Sequence, residues 1–290
     1  MTGDESDPDD RPSAPGDGHD HPAPPIHGPD DEPGGVAPDT TSAIFGRART
    51  RLVTHPRAFV ALVFAGILVA GIDWVQFHDA VPTTAYVGVQ QGRFAATFRV
   101  VVAPESRATV PAAAFLHLRP AWLARTVGLV VAKFLVVVLA SGYALARLQG
   151  VDLAPAALAR YGAVVAVLWV AVGRITFEGG SILLGLPLLI AFLYVVVRLV
   201  PLPARLLRGE PLRTALGRSW TQTQGHGWAL FGVVVLVGVA NHLAASVPVV
   251  GPVGSGAVAA VHAAAAVAAC EAWPVREGDG AGEAATVAAE

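Results

Sequence analysis

The sequence predicts an all-α, polytopic membrane protein: a bundle of about six transmembrane helices that follows a disordered N-terminal tail. Two observations lead to this fold class. Apolar residues make up 53% of the chain and charged residues only 14%, whereas soluble domains carry about 25% charged residues. The apolar residues also gather into runs of about 20, the length that crosses the roughly 30 Å hydrocarbon core of a bilayer as a helix.

The first segment, residues 1–43, is predicted to be a disordered cytoplasmic tail. Residues 1–39 contain eleven Asp and Glu residues against one basic residue, Arg11. Because the segment has so little apolar surface to bury, it cannot offset the entropy that ordering would cost. The first apolar run begins near residue 58 without a short basic segment before it, so we expect no signal peptide. Residues 275–290 are predicted to be a second disordered tail.

Six apolar runs are the predicted spans of a membrane domain at residues 44–274. They cover about residues 58–77, 124–145, 161–177, 180–200, 228–248 and 253–272. The third run is short and the sixth is mostly alanine, so both depend on neighbouring helices, and a five-span arrangement without the sixth is the main alternative. Four tryptophans fall near predicted span ends, as in an aromatic belt: Trp74, Trp122, Trp228 and Trp273.

The arginines set the predicted orientation. Four closely precede the first span and five lie between the end of the fourth span and the start of the fifth. The positive-inside rule therefore predicts that both termini are cytoplasmic. We expect the protein to lie in the plasma membrane. The loop at 78–121 is then extracytoplasmic, although it too contains four arginines. Its segment "TAYVGVQQGRFAATFRVVVA" predicts a β-hairpin that turns at Gln90-Gln91-Gly92.

Residues 211–224 are predicted to form an amphipathic helix in the cytoplasmic membrane interface. Leu212, Leu216 and Trp220 recur every four residues and form one apolar stripe, while the arginines point elsewhere. Such a helix lies at the lipid surface, with its cations near anionic head groups. The candidate lipid-interface residues are Arg213, Arg218, Trp220 and Trp228.

The segment "RLVPLPARLLRGEPLRTALGRSWTQTQGHGWALF" resembles the membrane domain of glycerophosphoryl diester phosphodiesterase-type proteins and related stand-alone multi-pass proteins of archaea. The matching positions are Ala215, Leu216, Ser219, Trp220, Thr223, Gly225, Trp228, Leu230 and Phe231. Phosphodiesterase activity in that family belongs to a separate soluble barrel. Neither its His-Arg-Gly motif nor its paired carboxylates occur in this sequence, so the resemblance implies a membrane domain without the enzyme.

Ionisable residues inside spans are functional candidates, because their burial in lipid is costly. The only lysine, Lys133, lies roughly 2 Å from the centre of its predicted span by helical rise. Its side chain reaches about 6 Å, too short for the ammonium to reach the interface but long enough to meet Asp73. The candidate polar cluster is Asp73, Lys133, Asn241, His242 and His262. It either lines a wet path for a proton or anion or, as we favour, contains a dry Lys133–Asp73 pair.

Two further patterns are interpreted as structural. Arg174 and Glu178, one helical turn apart, are predicted to pair at a span end. In the sixth span, small residues recur every four positions: Gly256, Ala260, Ala264 and Ala268. Such a stripe lets helix backbones approach closely. It serves either an internal neighbour, which we favour, or a homodimer.

Several chemistries lack their motifs in this sequence. Lys133 is followed by Phe134 rather than Ser or Thr, so no Walker A loop is present, and His-Glu-x-x-His is missing too. Val253 stands where a rhomboid-type Gly-x-Ser-Gly motif needs glycine. A retinal-type Schiff-base lysine is not expected in the second of six spans. The acidic tail would repel nucleic acid.

These observations predict a non-enzymatic membrane scaffold or accessory domain that contacts the lipid bilayer, with no catalytic residue, cofactor or metal. Its protein partner is either a second copy of itself or another membrane protein. One alternative is a small-solute or proton-coupled transporter that uses the polar cluster. A weaker alternative, an enzyme acting on lipid head groups, rests on the family resemblance alone.

Overall fold

The protein is an α-helical, multi-pass membrane protein, analysed through a computed structural model. The structure describes residues 40–85, 89–90, 93–96, 102–116, 118–172, 175–178, 182–247 and 250–273. Residues 1–39 of the predicted tail at 1–43, and the whole predicted tail at 275–290, lie outside these residues.

Helices account for most of the described chain. They are α1 (Thr41–Thr54), α2 (Pro56–His78), α3 (Ala112–Phe115), α4 (Pro120–Gln149), α5 (Pro155–Val172), α6 (Ile182–Leu199), α7 (Leu202–Leu207), α8 (Leu212–Gln222), α9 (Gly227–Ser246) and α10 (Gly251–Ala272). The strands are β1 (Thr84–Ala85), β2 (Val89–Gln90), β3 (Arg93–Ala96), β4 (Ala108–Thr109) and β5 (Ile175–Glu178).

Helix α1 was not predicted from the sequence, and it shortens the predicted tail of residues 1–43. The helix begins at Thr41 because the Thr40 hydroxyl accepts a hydrogen bond from the Ala43 N–H, as an N-cap residue does. Ile44 and Ala48 are fully buried in the main core. The Thr41 hydroxyl donates to the Ala229 carbonyl over 3.0 Å, which joins α1 to α9.

Successive long helices run in opposite directions, from α2 through α4, α5, α6 and α9 to α10. The antiparallel pair of α4 and α5 shows this most directly. Tyr161 Oη lies 2.8 Å from Ser141 Oγ, and the ring of Phe134, earlier in α4, lies 5.6 Å from that of Trp169, later in α5. We call the end of the bundle that contains residues 102–111 the loop end, and the opposite end the α8 end.

The predicted third span, residues 161–177, is wrong at both boundaries. The helix begins earlier, at Pro155, a residue suited to the first helical position. It ends at Val172, and "ITFE" then forms β5, since β-branched and aromatic residues favour strands. Glu178 therefore lies in a strand, so the helical spacing assumed for the Arg174–Glu178 pair does not apply, and Arg174 lies outside the described residues.

Five helical segments within the described residues are long and apolar enough to cross a membrane. They are Pro56–His78, Pro120–Gln149, Pro187–Leu207, Gly227–Ser246 and Gly251–Ala272. Helix α10, which the five-span alternative omitted, is one of these five. Of the six predicted spans, five correspond to helices of this length, and the third corresponds to α5, a shorter apolar helix.

The β-hairpin in the loop is confirmed. Gln90 pairs with Arg93 and Val89 with Phe94, so the chain reverses between β2 and β3. Strand β5 adds to β3 in antiparallel register, from Arg93–Glu178 to Ala96–Ile175. Because β3 belongs to the loop between α2 and α4, this pairing places the end of α5 at the loop end.

Helix α10 is the central helix of the bundle. In its 18-residue apolar stretch 72% of the residues are buried, against 28–44% in the corresponding stretches of the other four candidate spans. Gly256 lies so close to α2 that an added Cβ would stand 2.5 Å from the Leu62 carbonyl oxygen. Ala260, Ala264 and Ala268 are at most 1% exposed. The small-residue stripe therefore packs against neighbours within this chain, as we favoured.

Candidate functional site

Part of the loop folds back into the loop end of the bundle. Val102 is fully buried, and Ala103 packs against Val69 of α2 and Val137 of α4. Both valines lie one helical turn deeper in the bundle than Asp73 and Lys133, respectively. Residues 102–107 thus form a re-entrant segment, and non-helical backbone at this depth requires polar partners from the protein.

Lys133 binds this segment through its ammonium. Nζ donates to Asp73 Oδ1 over 2.6 Å, to Gln76 Oε1 over 2.7 Å and to Ser106 Oγ over 2.8 Å. An ammonium has three N–H donors, so these three bonds use all of them. The predicted Lys133–Asp73 contact is present, and the loop supplies a further acceptor.

Asp73 completes the arrangement from α2. Its Oδ1 also lies 2.7 Å from the Ser106 hydroxyl, and its Oδ2 accepts from the Arg107 backbone N–H over 2.7 Å. Asp73 and Lys133 are 3% and 5% exposed. We call the set of Asp73, Gln76, Lys133, Ser106 and the Arg107 N–H the loop lock. It pairs opposite charges and leaves neither oxygen of the carboxylate without a donor.

A second set of contacts holds the same segment to α9 and α10. The Glu105 N–H donates to Ser255 Oγ over 2.7 Å, and Asn241 Nδ2 donates to Glu105 Oε2 over 2.7 Å. Glu105 is only 2% exposed. The candidate residue Asn241 therefore contacts the re-entrant segment rather than Lys133.

The two candidate histidines do not join the loop lock. His242 is half-buried on α9, and His262 is 6% exposed on α10. Neither forms a hydrogen bond with Lys133 or Asp73. The structure thus brings together Asp73 and Lys133 and separates them from both histidines, which argues against one continuous polar path through all five candidates.

Helix α8 forms the second functional candidate, at the opposite end of the bundle. Leu212, Leu216 and Trp220 are 47%, 43% and 37% exposed, while Ala215 and Ser219 face the protein and are fully buried. The predicted amphipathic helix is therefore present with its apolar stripe outward. The other candidate lipid-interface side chains, Arg213, Arg218 and Trp228, are also exposed. The predicted aromatic belt is wrong for Trp273, which is buried and stacked on His226.

The buried face of α8 carries a residue that sequence reasoning missed, Gln222. Its Nε2 donates to the Cys270 and Trp273 carbonyls over 2.7 and 2.6 Å. It thereby satisfies carbonyls at the end of α10 that have no partner within the helix. Its Oε1 accepts from Arg205 Nη2 over 2.6 Å. A single glutamine in a polar segment offers no pattern that would reveal this role.

Two other residues of the same face bind the end of α6. The Ser219 hydroxyl donates to the Arg198 carbonyl over 2.7 Å, and Thr223 Oγ1 accepts from Arg198 Nη1 over 3.1 Å. Gly225 then turns the chain into α9 with φ of 81°, a conformation that residues with a Cβ rarely adopt. The motif residues Ser219 and Thr223 therefore fasten this segment to the end of α6, and Gln222, which is not a motif position, fastens it to the end of α10.

Metal coordination has no candidate in the part of the chain that the structure describes. No group of three or more His, Cys, Asp or Glu side chains gathers there as a metal site would require.

Comparison with known proteins gives no match. No family model matches the sequence, and neither a curated protein nor a solved structure matches it significantly. The resemblance to the membrane domain of glycerophosphoryl diester phosphodiesterase-type proteins therefore stays a prediction that rests on the residues of its motif.

Proposed function

We propose that this protein is a non-enzymatic membrane scaffold or accessory domain whose α8 lies at the lipid interface. The observation that carries the proposal is the loop lock. Lys133 is a buried charge, and its three donors bind Asp73 and Gln76 of α2 and Ser106 of the re-entrant segment. A residue so engaged is well placed to hold structure and poorly placed to bind and release a solute.

The position of α8 supports the second half of the proposal. Its exposed stripe is flanked by Arg213 and Arg218, the arrangement of helices that lie in the membrane interface. We place this end of the bundle in the cytoplasm on positive-inside grounds. We also propose kinship with the phosphodiesterase-type membrane domain, supported by the anchoring roles of Ser219 and Thr223 within its motif.

A proton-coupled transporter is the second candidate, and one observation favours it. His262 is buried on α10 and has no hydrogen-bonding partner among the described residues. Such a group in a membrane bundle is a candidate for proton transfer.

Flux measurement on the full chain in liposomes separates the two candidates. We expect proton and chloride permeability equal to that of protein-free vesicles. Flux above that background would support the transporter proposal over the scaffold proposal if it is lost in His262→Leu and kept in the exposed-residue control His78→Leu. The control is matched because His78 is exposed at the loop end of α2.

A further inference from the structure

An apolar groove runs along the membrane-facing side of α6 towards α8. Its volume is about 600 Å³, and its wall is almost wholly apolar. The lining residues are Pro187, Ile190, Ala191, Tyr194 and Val195 of α6 and Trp220 of α8. Ile190 and Tyr194 are 60% and 50% exposed, so the groove opens sideways rather than into the core.

The length of the groove along α6 is close to the thickness of the hydrocarbon layer of one leaflet. Pro187 and Val195 are eight residues apart on the helix, about 12 Å at 1.5 Å per residue. Half of a roughly 30 Å hydrocarbon core is about 15 Å. The groove is therefore long enough to hold the part of an acyl chain nearest the head group, and too short to hold a transmembrane helix.

The guanidinium of Arg198 lies at the α8 end of the groove. Arg198 Nη2 donates to the Tyr194 hydroxyl over 3.0 Å, and its guanidinium carbon lies 4.9 and 5.5 Å from the ring centres of Tyr194 and Trp220. Nη1 donates to the Trp220 carbonyl and to Thr223. All of these partners are neutral, and within the described residues no carboxylate forms an ion pair with Arg198.

The second uncompensated charge lies on α8 itself. Arg213 is exposed and has no carboxylate partner in the described part of the chain. It lies seven residues before Trp220, nearly two full helical turns, so it borders the apolar stripe on its Trp220 side rather than pointing away from it as predicted. Arg218, by contrast, is held 3.5 Å from Glu210. The groove thus ends at Arg198, a cation that no carboxylate among the described residues neutralises.

We infer that the groove binds an anionic phospholipid, with one acyl chain along α6 and its phosphate at Arg198. The apolar wall selects a chain, and the unpaired guanidinium selects a negatively charged head group, since each arginine near an anionic lipid surface contributes about 1 kcal/mol. The inference rests on the interfacial position of α8 proposed above. It adds a specific ligand and a specific site to a general contact with lipid.

Native mass spectrometry of the full chain with phosphatidylglycerol and phosphatidylcholine tests the charge. We expect retention of phosphatidylglycerol to exceed that of phosphatidylcholine about fivefold, the ratio that one such arginine supplies. Arg198→Gln should abolish the preference. Equal retention of both lipids by the wild-type protein would overturn the inference.

Filling the groove tests the site independently of Arg198. Ala191→Trp places an indole in the groove and should remove phosphatidylglycerol retention. Ala240→Trp, at an exposed alanine on α9 outside the groove, should leave it intact. Unchanged retention by Ala191→Trp overturns the site, and so does a protein dimer in place of bound lipid. Displacement of the lipid by inorganic phosphate alone would show a phosphate site without a chain, which also contradicts the inference.

A depth measurement distinguishes failure of the lipid site from failure of the proposed function. A nitroxide on Leu216→Cys, in a Cys270→Ala background, should report the head-group region of the bilayer, whereas Thr214→Cys on the polar side should report water. With that result, absence of phosphatidylglycerol retention overturns the lipid site alone. If the nitroxides at both positions report water, the interfacial role of α8 is overturned, and the lipid site is overturned with it.

Discussion

At the scale of single residues, the sole lysine illustrates how a costly charge becomes a structural connection. The Lys133 ammonium meets a carboxylate, an amide oxygen and a hydroxyl that come from α2 and from the re-entrant segment. Removing one member of a buried ion pair typically costs about 3–5 kcal/mol, because the remaining charge stays buried without compensation. The lock therefore favours one position of the loop strongly over all others.

Gln222 provides a prediction at the opposite end of the bundle. Gln222→Leu should lower the free energy of unfolding by about 1–3 kcal/mol, because the buried carbonyls of α10 and the Arg205 guanidinium lose their partner. The measurement is thermal unfolding in detergent micelles.

Gln224→Leu is the matched control, since Gln224 is the same residue type two positions later and is exposed. It should change stability by less than about 0.5 kcal/mol. Equal losses in the two variants would show that Gln222 does not fasten α8 to α10.

The residues of the site could be predicted only in part. Lys133 and Asp73 stand out because charges within apolar runs are conspicuous, and the reach of a lysine side chain limits its partners. Ser106, Gln76 and Gln222 are ordinary polar residues whose importance comes from where the chain returns in space. No local pattern in the sequence encodes the return of residues 102–107 into the bundle.

At the scale of helices, close backbone contact between α2 and α10 organises the centre of the bundle. A Cβ at Gly66 would overlap the Pro252 carbonyl oxygen, and one at Gly256 would meet the Leu62 carbonyl. In lipid such contact is a main source of helix association, since burial of apolar surface gives little advantage there.

Gly66→Ala should therefore destabilise the bundle by about 1–3 kcal/mol through overpacking against a backbone that cannot yield. Gly71→Ala, in the same helix, places its Cβ in open space and should be neutral or stabilising by about 0.5–1 kcal/mol. Detergent unfolding midpoints measure both. Equal effects of the two substitutions would contradict the close α2–α10 contact.

Amphipathic and apolar periodicity predicted α8, α10 and the long spans correctly because these signals are local. Helix α1 escaped prediction because its buried residues, Ile44 and Ala48, are few among polar neighbours. Strand β5 escaped because its partner, β3, lies some eighty residues earlier in the chain. Gly173 and Arg174 interrupt the apolar run after Val172 and "ITFE" resumes it, so apolar composition alone does not separate the helix from the strand.

At the scale of the whole molecule, the alternating helices place α1 and the end of α10 at the same end of the bundle. Arg51 and Glu271 lie 2.5 Å apart there. With α8 in the cytoplasm, as we propose, the turn between α9 and α10 is expected on the extracytoplasmic side.

Thiol labelling of intact cells tests this orientation in a Cys270→Ala background. Val250→Cys, at an exposed position in that turn, should react with a membrane-impermeant reagent. Thr214→Cys on α8 should react only after the membrane is opened. The reverse pattern would invert the proposed orientation.

The central claim is that the buried Lys133–Asp73 ion pair is a structural lock, and a double-mutant cycle on these two residues tests it most directly. Asn is used at position 73 because its amide oxygen still accepts from the Arg107 N–H. Lys133→Met and Asp73→Asn should each cost about 3–5 kcal/mol in free energy of unfolding. The double variant should cost much less than their sum, since neither charge is then left alone. Costs that add to within about 0.5 kcal/mol would mean that the two side chains act independently, and the lock would be refuted.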